Sequence, residues 1–110
     1  MKIGGGGILT AEQKHKRDFR GTSKWKNWRK YLKNKQKVDQ ITGKPLLKGF
    51  NCHHLDMRDE WYEDLHEDKF ICLNKQTHEV LHWLFRYRNW RQVLYNLSDY
   101  LSKMEQYRED

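Results

Sequence analysis

Cysteine, proline and long apolar runs are all scarce in this chain of 110 residues, and each scarcity excludes something. The two cysteines, Cys52 and Cys72, are too few for a disulfide framework or for an all-thiolate zinc site, which needs four thiolates. Both read as reduced, buried small hydrophobes. The longest apolar-looking stretch, Val80 to Phe85, contains His82 and is far too short to span a bilayer. No apolar segment near the N-terminus is long enough for a secretory signal, so a cytoplasmic location is the expectation. Only 36% of the residues are hydrophobic, which suits one small domain with a modest core. In so small a domain, a metal ion or flanking helices add stability.

Acidic residues are also scarce, but only in the first half. Residues 1–50 hold 14 Lys and Arg against 3 Asp and Glu, whereas residues 51–110 hold 8 against 12. A basic arm joined to a more acidic body suggests a polyanionic partner for the arm. Aromatic residues interleave the cations in Lys24-Trp25-Lys26-Asn27-Trp28-Arg29-Lys30-Tyr31, which favours nucleic acid. Lys24, Lys26, Arg29, Lys30 and Lys33 are the candidate backbone contacts, with Lys75 added further along.

Residues 1–21, with Gly4 to Gly7 in a row, read as a flexible basic lead, and Ala11 to Phe19 suit a short helix or an ordered arm. Thr22 or Ser23 can cap a helix from about Lys24 to Lys35. On it Trp25, Trp28, Tyr31 and Leu32 recur at helical spacing as one apolar stripe. Val38 and Ile41, the turn signal Thr42-Gly43-Lys44-Pro45, and then Leu46, Leu47, Phe50 and Cys52 predict a β-hairpin that ends at His53-His54. The acidic stretch Asp56 to Asp68, with Trp61, Tyr62 and Leu65, predicts a loop with a short helical turn. Phe70 to Leu73 predicts a strand. Asn74 or Thr77 can cap a helix reaching Phe85 or Tyr87, and an amphipathic helix follows over about 89–107. Residues 22–110 are thus expected as a single α+β domain, with a ββα core over about 37–85.

Four of the six histidines fall into two groups, His53-His54 and His78/His82. His78 and His82, four apart, share one helix face and can grip one metal ion. His53 can supply a third ligand and His54 a base. On a regular strand, adjacent residues point to opposite faces, so both can serve one site only if the strand ends or twists there.

The run Asn51-Cys52-His53-His54-Leu55-Asp56, followed by Phe70 to Leu73 and His78-Glu79-Val80-Leu81-His82, resembles the HNH family of ββα-metal (His-Me finger) endonucleases. The closer resemblance is to the histidine-rich branch of nuclease colicins and small phage HNH proteins. The resemblance implies roles. His54 would be the general base, and His53, His78 and His82 would be the metal ligands. The cofactor would be one divalent ion (Zn, Ni, Mg or Mn), and the activity metal-dependent hydrolysis of DNA phosphodiesters, in phage DNA processing and hence in the host cytoplasm. Two features depart from the family pattern. Lys69 stands where the family has its central Asn, and Asp39, Ile41 and Gly43 stand where many members carry zinc-clamping cysteines. The alternatives are a non-catalytic, metal-stabilised DNA-binding module, and a protein that binds a partner or a second copy of itself through the C-terminal helix.

Overall fold

The computed structural model describes residues 8–58 and 63–109. Gly4 to Gly7 of the expected lead, and Asp59, Glu60, Trp61 and Tyr62 of the expected acidic loop, lie outside them. The chain forms two compact units, residues 1–74 and residues 75–110.

In the first unit, α1 (Ala11–Arg20) begins at a capping box in which Thr10 and Gln13 satisfy each other's backbone N–H. Part of the expected flexible lead is therefore helical, and Phe19 near its end is buried. Helix α2 (Ser23–Gln36) is capped by the Thr22 hydroxyl, which accepts from the Trp25 N–H. Trp25, Trp28 and Leu32 face inward as their spacing predicts, whereas Tyr31, expected on the same stripe, is exposed. The three inward residues pack with Phe50, Phe70 and Cys72 around the fully buried Leu32.

The sheet differs from the expected hairpin over 37–54. Its two strands are β1 (Asn51–His54) and β2 (Phe70–Leu73), antiparallel, with Cys52 opposite Cys72 and His54 opposite Phe70. Residues 38–45 contribute one isolated bridge, Val38 to Pro45. Pro45 has no N–H to give a ladder, and Gly43 and Gly49, at φ 74° and 84°, turn the chain on either side of it. Asp39 settles the turn. Its fully buried carboxylate accepts from Ile41 N and Thr42 N at Oδ1, and from Asn74 N at Oδ2. The turn is thereby fastened to the end of β2 rather than extended into a strand.

The outer edge of β2 is also occupied. Gln36, the last residue of α2, donates from Nε2 to Phe70 O and accepts Cys72 N–H at Oε1, while Gln40 N donates to Cys72 O. Because the Cys72 amide and carbonyl point this way, Cys52 and Cys72 form a non-hydrogen-bonded pair, the arrangement that brings side chains closest. No strand edge on this side is left open.

In the second unit, α3 (Lys75–Phe85) and α4 (Trp90–Glu105) pack on each other. No residue of either helix is buried. Asn74 does not cap α3. Its side chain turns back, accepting from Leu47 N and donating to Pro45 O. Among the described residues no helix is long and apolar enough to cross a membrane.

Candidate metal centre

Strand periodicity sorts the histidine pair. Cys52 and His54 share the face of Cys72 and Phe70, the core residues opposite them. His53 therefore points to the other face, along with its partner Ile71. Helix periodicity sorts the other pair. His78 and His82, one turn apart, bring their Nε2 atoms to 3.1 Å, with ring centroids 4.4 Å apart. His53, His78 and His82 are all half-buried. Two of the three expected ligands, His78 and His82, thus lie close enough together to share a metal ion.

The donor set fits an ion on two counts. Nitrogens sharing one ion at about 2.0–2.1 Å stand roughly 2.9–3.4 Å apart, and the 3.1 Å between the helical imidazoles falls in that range. Burial, and then the neighbouring His82, push the His78 imidazole below its ordinary pKa of 6.5, which keeps it in the neutral, lone-pair form that a metal requires.

His54 is placed differently. Its ring lies 4.5 Å from that of Phe70, and its Nδ1 accepts the Asp56 N–H at 3.1 Å. In the neutral ring the proton is then assigned to Nε2, which is buried and has no hydrogen-bond partner among the described residues. The expected base thus holds its lone pair at Nδ1, in a bond to the chain two residues on. The Asp56 carboxylate turns to Arg58, which binds it through Nε, Nη2 and its backbone N–H and holds it down to about 2.

Of the expected DNA contacts, Lys26, Lys30 and Lys33 lie within a narrow stripe of α2, away from Trp25, Trp28 and Leu32. Lys24 falls on a different side and lines a cleft of about 650 Å³ with Asn27, Trp28, Tyr31, Leu65, His66 and Glu67. Arg29 is engaged within the fold. It donates to Phe50 O and lies 3.7 Å over the Phe50 ring, fastening α2 to the start of β1. Lys75 is exposed in the first turn of α3. Tyr31 stacks on Trp28 and donates its hydroxyl to Glu67, a bond that raises its pKa.

Sequence reasoning missed Gln36 and Asp39 as the residues that fix β2 and the turn beside it. An Asp two residues before Ile-Thr-Gly is an Asx-turn signal and could have revealed the second. Nothing in the local pattern marks Gln36. No family model, no curated protein and no solved structure matches the chain.

Proposed function

We propose that this chain is a metal-dependent endonuclease of the HNH type, hydrolysing DNA phosphodiester bonds. The observation that carries this reading is the imidazole pair on one face of α3, His78 and His82, whose Nε2 atoms stand at the separation of two ligands on one ion. His53, His78 and His82 would hold the ion, leaving a position for substrate or water. A bound divalent ion supplies Lewis-acid stabilisation of charge developing on the phosphate. His54 would take the proton of the attacking water at Nδ1, exchanging its bond to Asp56 N–H for one to the water. Lys26, Lys30 and Lys33 would contact the DNA backbone, setting affinity and register rather than sequence.

A second reading, a metal-stabilised DNA-binding module without turnover, is favoured by the same His54 geometry, since the ring's lone pair is engaged and its Nε2 is buried. Plasmid cleavage separates the two. Wild type and His54→Ala are compared with Mg²⁺, Mn²⁺, Ni²⁺ and Zn²⁺, alongside DNA binding by mobility shift. Cutting that His54→Ala loses while binding persists supports the nuclease. Binding without cutting under every metal supports the module.

A further inference from the structure

We propose that α4 is a dimerisation helix that pairs antiparallel with α4 of a second copy of this chain. Trp90, Leu94, Leu97, Leu101 and Met104 recur at spacings of four and three, the seam of a two-stranded coiled coil. In an ordinary amphipathic helix such a seam is covered by the helix's own domain. Here Leu94, Leu97, Leu101 and Met104 are 47, 40, 59 and 64% exposed. Tyr95, Tyr100 and Tyr107, also exposed, flank them, and aromatic residues of this kind are enriched at protein interfaces.

Charge selects the occupant. The helix carries Arg91 and Lys103 against Asp99 and Glu105, so it is neutral within a chain of net charge +7. A neutral apolar face is no site for DNA, and it is the region where two cationic chains repel least. Charge also selects the direction. Arg91 in the first turn and Glu105 at the end oppose the helix dipole rather than complement it. Both occupy the same flank of the seam. In an antiparallel pair, Leu94 meets Met104 of the second copy and Leu97 meets Leu101. Arg91 then reaches Glu105 of the second copy at each end. Glu105 exchanges an exposed contact with Arg108 for this one, at little cost. A parallel pair offers Arg91 no acidic partner. Four seam residues from each helix make a small interface, consistent with a dissociation constant on the order of 10 µM.

Analytical ultracentrifugation of the full chain from about 1 to 200 µM tests this, since mass should rise with concentration from 13.6 kDa toward twice that value. Leu101→Glu should weaken the association at least tenfold with helicity by circular dichroism unchanged. Arg91→Glu should also weaken it, and adding Glu105→Arg should restore it, an outcome that needs no disruption of the seam. A monomer at every concentration would leave the face to another occupant and overturn the proposal. So would a dimer indifferent to Leu101→Glu, or a charge swap that fails to restore pairing. Metal-dependent cleavage is measured on other residues and stands or falls separately.

Discussion

The two units use apolar side chains in opposite ways. Residues 8–74 bury Phe19, Leu32, Phe50, Phe70, Cys72 and Leu73, and close the surrounding backbone with polar clamps from Gln36, Arg29 and Asp39. Residues 75–109 bury none of the residues in α3 or α4, and they leave Val80, Trp83, Phe85, Leu94, Leu101 and Met104 open. A sheet with a helix laid on it can enclose a side chain from several directions. Two packed helices cannot, because each covers only one stripe of the other. The first unit therefore holds its shape through its interior, whereas the second leaves much of its apolar surface open.

The largest effect that tests this contrast is expected at Asp39. Removing its carboxylate by Asp39→Ala strands three backbone N–H groups beside a side chain that is fully buried. A loss of about 3–5 kcal/mol is expected in urea unfolding followed by tryptophan fluorescence. A loss below about 1 kcal/mol would show that the turn over 39–44 does not depend on this clamp. Next comes a matched pair of leucines. Leu32→Ala should cost about 2–5 kcal/mol as a cavity in the core, and Leu101→Ala below about 1 kcal/mol in the monomer, because Leu101 is 59% exposed. Equal losses would break the contrast outright.

A metal effect of intermediate size is expected. At a free Zn²⁺ concentration 100 times its dissociation constant, thermal unfolding should show about 2.7 kcal/mol of added stability, and His78→Ala should remove most of it. Its pH dependence follows from proton competition. The folded His78 imidazole has a pKa below 6.5, so the folded chain binds fewer protons there than the unfolded one. Its contribution is therefore full above pH 6.5 and is lost as pH falls through the folded value. Metal binding has the same sign, since only neutral imidazoles ligate, and the increment should hold at pH 7.5 and shrink below about pH 6.5. An increment that grows on acidification would exclude histidine ligation. DNA affinity offers a smaller test. Three aligned lysines on α2 give a log–log salt slope of roughly −3, whereas contacts from all five of the expected α2 cations, Lys24, Lys26, Arg29, Lys30 and Lys33, would give roughly −4 to −5.

The helices and the close approach of His78 and His82 were legible in the sequence because they obey short-range periods. The spacing of Trp25, Trp28 and Leu32 gave the inward stripe of α2, and the four-residue spacing of His78 and His82 placed both imidazoles on one face. The pairing of β1 was not legible, because a ladder depends on distant partners. Leu46 to Cys52 reads as a return strand from a nearby turn. Its last residues pair instead with Phe70 to Leu73, across a 15-residue connection. The clamp residues were hidden for a related reason, since Gln36 acts through contacts 34 and 36 residues away. The placement of His54 was half visible. Strand alternation requires it to point away from His53, but only the ring contact with Phe70 and the Asp56 N–H show how far the core holds it.

The smallest effect concerns where α2 stops. Lys37 has φ 68° and ψ −35°, and Val38 N donates to Gln36 O at 2.8 Å, which makes Lys37 the centre of a γ-turn. A side chain in this left-handed region is strained, and the strain persists because both neighbours are committed elsewhere. Gln36 is bound to β2, and Asp39 to the turn and to Asn74. Lys37→Gly relieves that strain but frees the unfolded chain, so the net should be a stabilisation of no more than about 1 kcal/mol. The change also removes one cation without touching the Lys26, Lys30 and Lys33 stripe. Chemical denaturation should therefore show a small rise in midpoint while the salt slope of DNA binding stays unchanged. A clear loss of stability would mean that the turn is held by the lysine side chain rather than imposed by the clamps around it.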